Sequence, residues 1–107
     1  MSTKSITVVT LNPRPTLIHQ LKALLMEAKQ SPSDIVLDLS SIDVLETDEL
    51  ELLLTISERQ SHENQRMVFC GVANTIRETR KWLDLDRAFK IVSDQETAMA
   101  LLTSVER

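Results

Sequence analysis

Short β-branched runs alternate along this chain with longer stretches in which leucine returns every three or four positions, and the alternation occurs four times. Ser5–Leu11, "SITVVTL", is apolar and β-branched, and predicts a strand. "NPRPT" breaks that pattern, and Thr16 stands where a helix N-cap is expected. Over Leu17–Lys29, the residues Leu17, Leu21, Leu24, Leu25 and Ala28 share one helical face. Pro32 in "QSPSD" cannot continue the helix and biases the residue before it towards extended geometry. "IVLDL", Ile35–Leu39, reads as a strand buried on both faces. After a loop, Leu50, Leu53, Leu54 and Ser57 form a second helical stripe, widened by Leu52 and Ile56.

The polar linker "SHENQR" leads into a third strand, "MVFCGV". Asn74 is expected to cap a helix whose apolar positions are Ile76, Trp82 and Leu83; at this spacing the tryptophan reads as core or half-buried. "AFKIV", Ala88–Val92, predicts the fourth strand. A last helix starts at Asp94 and buries Ala98, Leu101, Leu102 and Val105. Parallel neighbours need crossover connections, so the pattern predicts an α/β fold: a mostly parallel four-stranded sheet, with room for a mixed edge, flanked by about four helices. Residues 1–107 read as a single domain.

Composition narrows the function classes. The formal charge is -4, and aromatics make up 3% of the residues. A nucleic-acid binder needs a basic footprint and often stacking platforms, and neither is offered. Nor does an acidic chain suit an anionic lipid surface. No apolar run reaches the roughly 18 residues of a membrane helix, and the opening segment is too short for a secretory signal, so a cytoplasmic location is expected. The single cysteine, Cys70, excludes an internal disulfide and lies mid-strand, where an inert buried thiol is expected.

Catalytic signatures are sparse. One glycine, Gly71, allows neither a dinucleotide-binding fingerprint nor a P-loop. His19 and His62 fall on different elements with no ligand spacing around them, so neither a metal nor any other cofactor is expected. Asp38, Asp43, Glu46, Asp48, Glu49, Asp84 and Asp86 supply carboxylates, but no pair is marked out for acid–base work, and no catalytic residue is assigned.

The loop in "IVLDLSSIDVLETDELELLL" carries the remaining chemistry. It ends in one hydroxyl, Thr47, among Glu46, Asp48 and Glu49, just before the leucine-rich helix. Two readings are open. Thr47 can be the N-cap, with Asp48 and Glu49 complementing the helix dipole. It can equally be a phosphoryl acceptor, where about -1.5 to -2 added charges would repel a partner docked on this surface. Ser40 and Ser41 are alternative acceptors earlier in the loop.

These residues, in this order, resemble the STAS domain family of anti-sigma factor antagonists and their relatives. That signature runs from a buried strand through Asp-Leu-Ser and a short loop into Asp-Ser-Ser/Thr-Gly-Leu at a helix start. Leu39 and Ser40 match the strand end, Ile42 and Leu45 the loop hydrophobics, and Leu50 the following leucine. Glu46 stands at the family's aspartate, and Thr47 at its phosphorylatable serine or threonine. "RMVFCGVANTI" and "WLDLDRAFKIVSDQETAMALL" resemble the third strand and the closing segment, so the likeness runs over roughly Asp34–Leu102. Asp48 and Glu49 depart from it, replacing the hydroxyl residue and the glycine; stressosome-type members are similar in keeping a threonine without the glycine. The family generally begins with two strands, whereas one is legible here, and an edge left open in this way offers a pairing surface to a second copy or a partner.

The resemblance implies a non-enzymatic regulator. It would bind an anti-sigma factor or serine/threonine kinase, release it on phosphorylation of Thr47, and be reset by a phosphatase. Asp43, Glu46, Thr47, Asp48, Glu49 and Glu51 are the expected partner-binding residues, with Thr55 and Glu58 further along the exposed helix side. The alternatives are a STAS subunit of a lipid-transporting ABC complex and a non-phosphorylatable scaffold or adaptor.

Overall fold

A computed structural model describes residues 5–13, 16–80, 82 and 90–103. The elements run β1 (Ile6–Thr10), α1 (Leu17–Gln30), β2 (Asp34–Asp38), α2 (Thr47–His62), β3 (Met67–Cys70), α3 (Asn74–Arg77), β4 (Lys90–Val92) and α4 (Gln95–Thr103). The sheet order is β1-β2-β3-β4. All three pairings are parallel, so the mixed edge allowed for in the sequence does not occur among the described residues. Each crossover carries helical residues, as parallel neighbours require.

The two central strands have apolar side chains on both faces, which is why they read as continuous hydrophobic runs. One face (Ile35, Leu37, Met67, Phe69) packs under Leu17, Leu21 and Leu24 of α1 and Leu50, Leu53 and Ile56 of α2. The other (Val36, Val68, Cys70) is closed by Ala98 and Leu102 of α4. Full burial of each large aliphatic side chain contributes about 1.5–3 kcal/mol relative to exposure, so the α1/α2 layer holds most of the hydrophobic stabilisation. Trp82 is 1% exposed and stands edge-on to Phe69, with ring centroids 5.7 Å apart and planes at 85°. Its expected core placement is therefore observed.

The N-terminal end of the sheet is sealed by polar groups. Asp34, almost wholly buried, accepts from the Arg66 backbone N–H at 2.8 Å, and its second oxygen lies 3.6 Å from the Arg66 guanidinium. Arg66 also donates to the Leu102 carbonyl at 2.8 Å, fastening the end of α4. Buried Gln60 donates to the Ser33 carbonyl at 2.8 Å and the Arg66 carbonyl at 3.3 Å. The buried stripe of α2 is accordingly Leu50, Leu53, Ile56 and Gln60, with Leu54 and Ser57 half-buried beside it. Asn64, in the left-handed region at φ 58°, ends α2, and Gln65 donates back to the Gln60 carbonyl at 2.8 Å.

Three local expectations change. Thr16 occupies the N-cap position of α1, but its hydroxyl makes no cap bond; Gln20 instead ties Thr16 and Asn12 together. The cap of α3 is Ala73, and Asn74 is the first helical residue, because the extended backbone after β3 ends one residue sooner than the sequence signal suggests. β1 is shorter than the apolar run that predicts it, and of the fourth run Lys90–Val92 is strand; Leu83, Asp84, Asp86, Ala88, Phe89 and Val105 lie outside the described residues. Among the described residues no helix is long and apolar enough to cross a membrane.

Candidate functional site

With one end of the sheet sealed, the C-terminal ends of the strands are left to carry loops, as in other open α/β sheets. The β2–α2 loop is held by several hydrogen bonds and apolar contacts. Its anchor is Asp38, whose Oδ1 accepts from the Ser40 backbone N–H at 2.8 Å and whose Oδ2 accepts from the Gln95 amide at 2.6 Å. Leu39 donates to the Cys70 carbonyl at 2.9 Å, and Ile42 turns back onto the Leu39 carbonyl at 3.0 Å. The Ile42 side chain is buried and Leu45 packs against the same core. Thr75, at the start of α3, donates its hydroxyl to the Asp43 carbonyl at 3.0 Å. The chain therefore crosses the sheet end on fixed supports, with Val44 held out at 67% exposure.

Asp38 is the titrating member of this frame. Partial burial acts to raise its pKa, but the hydrogen bonds from Ser40 and Gln95 outweigh it and hold the carboxyl below its ordinary value. Asp94 is also lowered, by the Thr97 N–H that it accepts at the start of α4. A carboxyl lowered in the folded state adds stability above its unfolded pKa, and loses it as pH falls through the folded value. Denaturant midpoints measured downwards from about pH 4 should therefore fall more steeply for wild type than for Asp38→Asn. Equal slopes would show that the carboxylate does not support the loop. Cys70, fully buried beneath, has its thiol pushed up to about 11 by burial and by Asp38 and Asp94 nearby, as suits an inert core residue.

The start of α2 corrects one of the two readings of Thr47. Glu46, in extended backbone, is the N-cap; its carbonyl accepts from Leu50 at 3.0 Å, and its N–H donates to the Glu49 carboxylate at 2.8 Å. That second bond is the reciprocal arm of a capping box, and it sets the cap one residue earlier than the threonine. Thr47 is the first helical residue. It is exposed, and its hydroxyl makes no hydrogen bond to the described residues.

The other site residues named from the sequence are exposed or half-buried. Asp43, Glu46 and Asp48 are exposed and Glu49 is half-buried. Glu51, Thr55 and Glu58 project from the exposed side of α2, where Thr55 donates its hydroxyl to the Glu51 carbonyl. Ser40 and Ser41 are exposed, but Ser40 is committed to Asp38 through its N–H. A feature missing from the sequence reading is a hollow of about 510 Å³ between this loop and the start of α1. Pro13, Leu17 and Ile18 line one side, Ile42 and Val44 the other, and Asp43, Glu46, Asp48 and Glu49 stand around it. No local signal marks Pro13 or Ile18 for this role, because the loop reaches them only through the β2–α1 packing of the folded chain. His19 and His62 are exposed, and among the described residues no group of three or more His, Cys, Asp or Glu side chains is placed to hold a metal ion.

No family model matches the chain, and no curated protein matches it. Solved structures do. A serine-to-glutamate variant of Moorella thermoacetica RsbS superposes with a TM-score of 0.78 at 19% identity, over 100% of this chain and 97% of that one. A structure described as the molecular architecture of the stressosome, a signal integration and transduction hub, superposes with a TM-score of 0.77 at 18% identity, over the same shares. The architecture is thus that of an α/β STAS domain. More particularly, the chain is similar along its whole length to RsbS and a stressosome component.

Proposed function

We propose that this chain is a non-enzymatic STAS regulator that works by partner switching. Its docking face is the loop from Asp43 to Glu49 with the exposed side of α2 at Glu51, Thr55 and Glu58. The partner is an anti-sigma factor or serine/threonine kinase, and a phosphatase restores the binding form. The observation that carries this reading is the state of Thr47: an exposed hydroxyl with no hydrogen bond among the described residues, on the first residue of a helix and held beside a loop with fixed supports. A kinase can reach such a group without unfolding anything. Helix N–H groups stabilise a phosphate there in part, while Glu46, Asp48 and Glu49 make the added charge strongly repulsive to a bound acidic or apolar surface. The fold shared with RsbS and the stressosome structure is in keeping with a signalling role.

The same carboxylates also favour a second reading. A surface already acidic without phosphate suits a constitutive adaptor, in which Thr47 stays unmodified and partner choice depends on fixed charge. Affinity capture from the native organism separates the two, with wild type and Thr47→Arg run side by side and Thr47, Ser40 and Ser41 mapped for phosphate by mass spectrometry. Partner switching requires a kinase-type anti-sigma factor retained by wild type and lost by the variant, with phosphate on Thr47. Unphosphorylated Thr47 with an unchanged partner set supports the adaptor. Recovery of transporter subunits would assign the chain to an ABC complex.

A further inference from the structure

We infer that β1 is a self-pairing edge, and that this chain forms a two-fold dimer by joining Ile6–Thr10 antiparallel to the same strand of a second copy. The inference rests on backbone parity. In a parallel pair, alternate residues point their N–H and C=O groups at the neighbour. On β1 the Ser5 carbonyl accepts from Asp34 and the Leu11 N–H donates to the Asp38 carbonyl. With the register of β1 on β2, the inward set is therefore Ser5, Thr7, Val9 and Leu11. The N–H and C=O groups of Ile6, Val8 and Thr10 point away from the sheet, and no described strand pairs with them.

That outward set is symmetric about Val8. Placing Val8 opposite Val8 as a hydrogen-bonded pair sets Ile6 opposite Thr10 on each side. Every outward donor on one strand then meets an outward carbonyl on the other, and nothing is left over. The strand carries no charge and no proline, the devices by which sheet edges are usually protected. β4, the other edge, has an exposed lysine, Lys90.

The sheet face agrees with the edge. Ile6, Val8 and Thr10 turn their side chains to the α4 side, where Ile6 joins the cluster of Val36, Val68 and Ala98 and Thr10 meets Gln95. But α4 packs on β2, β3 and β4, which leaves Val8 at 41% exposure. A second copy is the occupant that fits. It brings an uncharged strand of matching parity and an apolar Val8 to face Val8, where a charged or proline-bearing partner strand would not. A seam of two five-residue strands offers few cross-strand pairs, so the dimer belongs to the small, concentration-dependent class.

The test combines hydrogen exchange by NMR with analytical ultracentrifugation of the full chain over a wide concentration range. Twice the monomer mass should appear as concentration rises. In step with it, the amides of Ile6, Val8 and Thr10 should become protected, while Thr7, Val9 and Leu11 are protected throughout. Val8→Lys puts like charges face to face on the two-fold axis and should abolish both effects with an unchanged far-UV circular dichroism spectrum. Val8→Thr, uncharged and β-branched, should retain them and controls for folding. A strictly monomeric wild type, free exchange at Ile6, Val8 and Thr10 in the dimer, or a dimer that survives Val8→Lys would each overturn the assignment.

Discussion

Replacing Phe69 with alanine should lower the stability of this domain by about 3–5 kcal/mol, the largest effect expected of any single side-chain truncation in the sheet. Phe69 is fully buried, lies on the inner central strand, and meets three surroundings at once: α1, α2 and the edge-on ring of Trp82. Removing the ring takes away its transfer free energy and opens a cavity that rigid strands on either side cannot close. The tryptophan contact adds about 0.5–1.5 kcal/mol beyond area burial. Since domains of this size hold about 5–15 kcal/mol in all, the variant should be partly unfolded at growth temperature. Urea denaturation reads the loss directly, as a lower midpoint at an unchanged slope. Phe69→Leu, which keeps most of the volume, should lose less than about 1.5 kcal/mol. A loss below 1 kcal/mol for Phe69→Ala would mean that the core does not centre on β3.

Both the core and the topology were legible in the sequence for one reason. In a parallel sheet covered on both faces, each inner strand must be apolar at every position, and each crossover helix must carry its own stripe. "IVL" and "MVFC" satisfy the first condition and the leucines of α1 and α2 the second. Four alternations then leave few arrangements open. The stripe of α2 was legible to within one turn, and its exception is instructive. Gln60 sits where an apolar residue would be expected, and it is buried because two backbone carbonyls at the sealed end of the sheet need a donor.

Helix starts were harder to read, because side-chain preference at a cap is worth only about 1 kcal/mol and tertiary supports exceed it. Thr47 and Asn74 are both better caps by preference than Glu46 and Ala73, yet in each case the preceding residue takes the position. At α2 the reason is visible in Glu49, which accepts from the Glu46 N–H and draws the helix start back by one residue. The consequence matters for the site: a threonine used as a cap would have its oxygen occupied by the backbone, whereas Thr47 as first helical residue does not. The hollow beside it was illegible, since Pro13, Leu17 and Ile18 come to the loop from some thirty residues away in sequence.

The loop's geometry depends on a residue outside it, and this gives the second large effect. Gly71 ends β3 at φ +67°, and a Cβ added there would stand 2.9 Å from the Ser40 Cβ, 3.0 Å from Asp38 Oδ1 and 3.1 Å from the Ser40 nitrogen. Gly71→Ala should therefore lower stability by about 2–4 kcal/mol, combining left-handed backbone strain with overpacking. The sign is diagnostic. At a position with ordinary backbone and open space, glycine to alanine stabilises by about 0.4–1 kcal/mol through the unfolded chain. Gly71→Asn separates the two causes, because asparagine tolerates the left-handed region but still carries the Cβ. It should recover the backbone part and keep the steric part, falling between wild type and alanine. The atoms that must yield are the Asp38 carboxylate and the Ser40 backbone, the pair that sets the turn into the loop. NMR shifts in both variants should consequently move at Ser40 and along the loop towards Asp43, more than in the α1/α2 layer. A stabilised alanine variant, or shifts confined to β3 and β4, would break the link between this glycine and the proposed docking face; shifts that reach Thr47 would tie the one glycine of the chain to the hydroxyl proposed to carry the switch.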